Sequence, residues 1–163
     1  MSMEIERKFL LPELPETVRE RLAVRSEQRI EQTYIAIDDS QELRIRRITD
    51  LRTGKRAYTH TFKNGTGLAR EEIEYAISES LYAQVAEAVG AVALTKMRTT
   101  AEWEGLVVEI DRYDQLDLAV LEVEFDSVEA AHAFVAPDWF GRDISGDKTY
   151  SNKTVWRSLQ QRK

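Results

Sequence analysis

The feature that most constrains this chain is a period of two. Eight stretches alternate between apolar and polar residues: 3–11, 29–37, 42–48, 56–63, 69–77, 93–101, 106–113 and 119–125. Successive side chains of a strand point to opposite faces, so each stretch predicts a strand with one apolar and one polar face. The polar faces carry full charges, grouped by strand. Glu4, Glu6 and Lys8 lie opposite Ile5 and Phe9, and Arg44 and Arg46 alternate with Leu43 and Ile45. Lys63 shares a face with Thr59 and Thr61, while Arg70, Glu72 and Glu74 oppose Ile73 and Tyr75. Lys96 and Arg98 lie together, Glu109 and Asp111 oppose Val108 and Ile110, and Glu122 and Glu124 alternate with Leu121, Val123 and Phe125.

Short links rich in turn formers separate several of these strands, at 38–40, 50–54 and 64–67, which predicts an antiparallel meander. Four helical segments interrupt it, at 15–24, 80–89, 126–135 and 152–161, the third bounded by Pro137. For any single strand, a charged face turned to solvent is an ordinary explanation. The grouping of cations on some strands and carboxylates on others favours a different one. A closed barrel of about eight strands has an interior wide enough for side chains or one small ligand. The expected fold is therefore mainly β with added helices (α+β), a closed eight-stranded antiparallel barrel with a charged lumen and helices packed outside. One domain spanning 1–163 is expected.

A dry lumen could not hold so many charges, because each unpaired buried ion costs several kcal/mol. A lumen holding water, a metal ion and a polyphosphate could. Magnesium favours oxygen ligands and is commonly bound by one or two carboxylates plus substrate phosphates. Arginine forks and lysine ammonium groups match phosphate oxygens. The net charge of −6 argues against a general binder of nucleic acids or membrane surfaces. The absence of cysteine removes disulfides, thiolate metal sites and a cysteine nucleophile from consideration. No apolar run approaches a membrane span, and a cytoplasmic protein is expected.

Some candidates are set aside. The run 64–67 lacks the Gly-Lys-Ser/Thr ending of a phosphate-binding P-loop. His60 faces away from Lys63 by parity, and His132 falls in a helix. Glu102 and Glu104 repeat the Glu-x-Glu spacing beside Gly105, at an expected hairpin turned to solvent.

The run Glu4-Ile5-Glu6-Arg7-Lys8 resembles the Glu-x-Glu-x-Lys signature of the CYTH superfamily, the triphosphate tunnel metalloenzymes. Further matches follow in order: 42–46, 61–63, 70–74, 95–98, 109–111, 121–125 and 147–153. The resemblance implies a tunnel that binds triphosphate-containing substrates with Mg²⁺ or Mn²⁺. It implies metal ligation by Glu4, Glu6, Asp111, Glu122 and Glu124, with Glu4, Glu6 and Lys8 as the catalytic set. Lys8, Arg44, Arg46, Lys63, Arg70, Lys96 and Arg98 would hold phosphates. Lys148 or Lys153 would cover the tunnel mouth. By parity Tyr34 shares a face with Gln32, where its hydroxyl would limit how far a long substrate enters.

The resemblance points first to hydrolysis of inorganic tripolyphosphate into pyrophosphate and phosphate, with nucleoside or thiamine triphosphates as secondary substrates. The alternatives are a class IV-type adenylate cyclase and a non-catalytic polyphosphate-binding module. The expected partner is a small polyphosphate, not a nucleic acid or a membrane. A homodimer stays open.

Overall fold

The computed structural model describes residues 2–162. Its eight strands are β1 (Ser2–Leu10), β2 (Ala23–Ile37), β3 (Gln41–Asp50), β4 (Arg56–Asn64), β5 (Ala69–Ala76), β6 (Leu94–Trp103), β7 (Leu106–Tyr113) and β8 (Leu118–Glu124). All neighbours are antiparallel and close a barrel in the order β1-β5-β4-β3-β2-β6-β7-β8. Four helices accompany it: α1 (Glu16–Arg19), α2 (Glu79–Val89), α3 (Val128–Ala133) and α4 (Asn152–Gln160). Ser78 and Gly90 bracket α2, the serine accepting from the Leu81 N–H and the glycine taking the left-handed conformation.

Strand parity sends the charged faces inward, so the barrel is inverted and its apolar faces need covering outside. One core does this. Phe9, Ala101, Val108, Ile110, Leu121 and Val123 sit on the outer faces of β1, β6, β7 and β8, packed under Phe140, Trp103 and the half-buried Val18, Leu22, Phe134 and Trp139. Phe9 meets Phe140 edge to face at 4.8 Å. On another flank α2 covers β2, β3 and β4, with Tyr82 against Tyr58.

A second core lies at one end of the barrel. Leu94 is registered with Gln32, Val120 with Leu10, and Tyr113 with Lys96, which places all three on the lumen side. They pack against Val155 and Leu159 of α4 and against Ile144. The last helix thus seats its apolar side across the end of the barrel.

Two sequence expectations shift. The helix expected over 15–24 is a single turn at Glu16–Arg19, because residues from Ala23 onward pair with β6, Ala23 opposite Glu102 and Val24 opposite Ala101. Ladder hydrogen bonds and the Arg25–Glu102 ion pair override the helical pattern there. The third helix ends at Ala133, where Phe134 turns extended (φ −66°, ψ 127°).

β1 divides its partners along its length. Ser2 to Ile5 pair with β5, while Glu6 to Leu10 pair with β8. The other edge of residues 8–10 is taken by the segment 141–145: Leu10 N–H donates to Arg142 C=O at 3.0 Å, and Gly141 and Ile144 N–H donate to the carbonyls of Leu10 and Lys8, each at 2.8 Å. A Cβ on Gly141 would sit 2.5 Å from the Leu10 carbonyl oxygen, whereas one on Gly146 would meet nothing within 4 Å. Gly141→Ala is therefore expected to cost about 1–3 kcal/mol in urea unfolding, the range of an overpacked site. Gly146→Ala should be close to neutral in the same measurement, and equal costs would contradict the tight approach.

Candidate active site

The lumen gathers the charged faces of seven strands. Two connected cavities occupy it, of about 460 and 240 Å³, sharing Glu6, Arg44, Lys63, Glu122 and Asn152 in their walls. The larger opens at the end where Lys148, Tyr150 and Lys153 stand, and it also reaches Lys8, Tyr34 and Arg70. The smaller opens at the opposite end, between Glu4, Glu72, Glu74, Glu109 and Glu124, with Arg46 and Arg98 above them. The tunnel therefore has one mouth where Lys148, Lys153 and Arg157 stand among Asp38, Asp39 and Asp147, and another ringed by carboxylates.

Register explains who meets whom. Lys8 faces Glu122, which faces Glu109 on the next strand, and Glu6 faces Glu124. Glu6, Glu109 and Glu122 each offer a carboxylate oxygen, and these oxygens lie within 4.8 Å of one another. This is a hard-oxygen donor set of the kind Mg²⁺ or Mn²⁺ takes.

The expected cations divide into paired and unpaired groups. Lys63 binds Glu4 at 2.8 Å, and Arg70 binds Glu42 at 3.0 Å. Among the described residues, Lys8, Arg44, Arg46, Lys148 and Lys153 form no ion pair. Arg44 is the sharpest case: it is only 4% exposed, and its Nε has no hydrogen-bond partner. Arg46 donates from Nε to Gln32, whose amide in turn donates to the Tyr34 hydroxyl at 3.2 Å. Tyr34 is buried against Trp156 of α4, with ring centroids 5.4 Å apart. The Lys8 ammonium donates to the Tyr150 carbonyl at 2.9 Å.

Asp111 stands apart from the carboxylate cluster. It receives Lys96 Nζ at 2.7 Å and two Arg98 nitrogens at 2.8 and 2.9 Å. Neither Asp111 nor Lys96 has any side-chain exposure, and neither lines a cavity. Asp111 thus serves as the counterion of two cations where the sequence expectation made it a metal ligand. Glu109, two residues earlier on the same face, takes the place beside Glu122. Nothing in the sequence separates these two, since parity treats them alike and only the register of β7 on β8 decides.

The charges respond to this packing. Burial acts to raise Glu4, but Lys63, hydrogen bonds from Glu72 and Lys63, and Arg44 hold it at about 2. Burial raises Glu6 well above its ordinary value, helped by the charges of Glu122 and Glu4. Burial also raises Glu109 to about 7 against Arg98, and Glu72 to about 7 with a hydrogen bond to Glu4. Burial opposes ionisation of Asp111, yet Arg98 and Lys96 keep it far below the usual range. Burial pulls Lys96 down to about 7 against Asp111. Glu122 is lowered, because Lys8 and Arg98 outweigh its burial. Like-charge repulsion therefore concentrates on Glu6 and Glu109, with Glu122 well balanced by cations.

The sign of the pH dependence follows from linkage. Groups raised on folding, Glu72 and Glu109, stabilise the fold below the ordinary carboxylate range and lose that contribution as pH rises through about 7. Groups lowered on folding, Glu4 and Asp111, stabilise above that range and lose it as pH falls toward 2. The metal-free protein should be most heat-stable at about pH 5 and lose melting temperature from there to pH 7. Thermal melts in chelator check this, and a flat or rising profile from pH 5 to 7 would contradict it. At neutral pH, Glu6→Gln should leave the metal-free melting temperature unchanged or higher, since glutamine mimics the protonated acid. Asp111→Ala should cost about 3–5 kcal/mol, because it strands two buried cations.

The whole-chain geometry is matched by known proteins. The model of the CYTH domain matches residues 2–151. An inorganic triphosphatase of Nitrosomonas europaea is 32% identical over 96% of this chain and 98% of its own length. An inorganic triphosphatase of Acetivibrio thermocellus is 27% identical over 95% of this chain and 94% of its own. A crystal structure of an inorganic triphosphatase superposes with a TM-score of 0.63 at 30% identity, covering 96% of this chain and 95% of that one. Closed barrel, ordered charge pattern and matched length agree, and the chain belongs to the CYTH domain family.

Proposed function

We propose that this protein is a metal-dependent inorganic triphosphatase that cleaves tripolyphosphate to pyrophosphate and phosphate. One observation carries the reading: a buried, unpaired Arg44 guanidinium shares a tunnel with the Glu6–Glu109–Glu122 carboxylate set. A buried guanidinium with no carboxylate in ion-pair range and a partnerless Nε facing the tunnel favours an anionic ligand there. The names of the curated relatives support the same substrate class.

In this reading the substrate enters at the mouth where Lys148 and Lys153 stand. Arg44 donates to phosphate oxygens, and Lys63 and Arg70 turn toward them from their carboxylate partners. Lys8 leaves the Tyr150 carbonyl for a phosphate oxygen. Glu6, Glu109 and Glu122 would hold Mg²⁺ or Mn²⁺, with Glu4 and Glu124 beside them. When bound, the ion supplies positive charge to the phosphates and acidity to water. Water forms a bond to the terminal phosphorus while the bridging P–O bond breaks and pyrophosphate leaves. No side-chain nucleophile takes part, so the chain's own work is binding, alignment and charge balance. Tyr34, roofed by Trp156, stands level with Arg44 in the wall of the larger cavity and would narrow the space for a long chain there.

The test is a panel of tripolyphosphate, ATP and thiamine triphosphate with Mg²⁺ or Mn²⁺, scoring phosphate, pyrophosphate and cyclic AMP. Phosphate release from tripolyphosphate is expected, abolished by chelator and restored by either metal. Arg44→Ala and Glu6→Gln should each lower kcat/KM by at least about a hundredfold while the fold survives. Cyclic AMP from ATP would replace this reading with a cyclase, and binding without turnover would leave a polyphosphate-binding module.

A further inference from the structure

We propose that Asp143, acting through Ser145, is a positioning residue for Lys8. The inference rests on the reading of Lys8 as a phosphate contact, and it begins with an oddity of β1. Its pairing with β5 ends at Ile5, so beyond that point one edge of the strand has no named strand beside it. Lys8 lies on this edge, in the middle of the lumen wall. Its carbonyl accepts from the Ile144 N–H, an ordinary main-chain bond. Its own N–H has a side-chain partner: it donates to the Ser145 hydroxyl at 2.9 Å.

That hydroxyl is itself oriented. Ser145 Oγ donates to Asp143 Oδ1 at 2.6 Å, and the same oxygen accepts the Ser145 N–H at 2.9 Å. With its single hydrogen committed to Asp143, the hydroxyl presents a lone pair to Lys8. The other Asp143 oxygen, Oδ2, receives Arg7 at 2.8 Å. Arg7 is tied down by its second terminal nitrogen, which donates to the carbonyls of Ala131 and Phe134 at 3.0 and 2.8 Å, and its guanidinium lies over the Phe134 ring.

The path therefore leaves β1 on its outer face at Arg7, rounds the strand edge through Asp143 and Ser145, and returns to the main chain at Lys8. Neighbouring residues of a strand point to opposite faces. The latch uses that alternation to fix an inward lysine from outside the barrel. The 3₁₀ turn just after it, Lys148–Tyr150, supplies the carbonyl that holds the Lys8 ammonium. Main chain and side chain of Lys8 are thus both set by one segment, 143–150. A backbone ladder bond would be indifferent to side-chain identity, whereas this one depends on a serine hydroxyl and its carboxylate. Lysine has a long, flexible stem, so losing its anchored base lets the ammonium drift, and misplacements of about 1 Å can cost up to a hundredfold in rate.

The test uses Ser145→Ala, which removes one oxygen, with Asp143→Ala as the stronger lesion and Ser145→Thr as the conservative variant. Ser145→Ala and Asp143→Ala should lower kcat/KM for tripolyphosphate by at least about tenfold with the melting temperature of Ser145→Ala within a few degrees of wild type. Ser145→Thr should recover most of the loss. In a Lys8→Ala background, Ser145→Ala should add less than about twofold to the fall in tripolyphosphate affinity, read by calorimetry in chelator. Hydrogen exchange of the Lys8 amide should quicken in Ser145→Ala and Asp143→Ala and stay slow in Ser145→Thr. Additive losses in the Lys8→Ala background, or an unchanged Lys8 amide in Ser145→Ala, would overturn the proposal. A wild type that leaves tripolyphosphate intact would sink the triphosphatase reading instead, while amide exchange and binding still decide the latch.

Discussion

The rest of the lumen depends on one deeply buried ion cluster, Asp111 with Lys96 and Arg98. It sits where the apolar end-core of Leu94, Tyr113 and Val120 meets the wet tunnel. Moving any one of these charges alone out of water would cost several kcal/mol, and the cluster is tolerable because Asp111 offsets both cations, Arg98 through two hydrogen bonds and Lys96 through an ion pair. Arg98 and Asp111 are directly opposed across β6 and β7, so the pairing also fixes the register of those strands. The consequence reaches Glu109. With Asp111 fully occupied, Arg98 extends its remaining nitrogen to Glu109 at 3.0 Å and leaves that carboxylate beside Glu122.

An inverted barrel has to divide its labour by parity. Along β1, Phe9 packs into the outer aromatic core while Glu4, Glu6 and Lys8 face the tunnel. The same division holds on β7 and β8, where Val108, Ile110, Leu121 and Val123 are buried outside and Glu109 and Glu122 line the lumen. Stability therefore comes chiefly from the outer faces and from the α4 end-core. The inner faces can then keep repelling carboxylates and an unpaired guanidinium that would be costly in a conventional core.

Parity made much of this legible in advance. The alternation in 3–11, 42–48, 106–113 and 119–125 allowed either face to point inward, and the grouping of carboxylate pairs and cation pairs on separate strands favoured inward charges. Three things were not legible. Parity could not choose between Glu109 and Asp111, which share a face and differ only in which neighbour the register gives them. It could not show that residues from Ala23 belong to a strand, since the pattern of Val18 and Leu22 reads as helix until pairing with β6 is known. It also could not show that α4 packs on lumen-side residues: Leu94 and Val120 share a face with Lys96 and Glu122, but what covers them depends on where the last helix crosses the barrel.

The two tunnel ends then follow from one asymmetry of the chain. At the end where β1 loses β5, the returning segment 141–145 fills the seam and carries Lys148, Lys153 and the α4 end-core with it. At the other end Ser2 to Ile5 of β1 pair with β5. The rim there is made by strand residues alone, and these are Glu72, Glu74, Glu109 and Glu124. A polyanion meets cations and carboxylates of mixed sign at the first end, and repulsion at the second unless a cation offsets those carboxylates. The direction in which a phosphate chain can lie is thereby set by where the chain's carboxy-terminal third crosses the barrel.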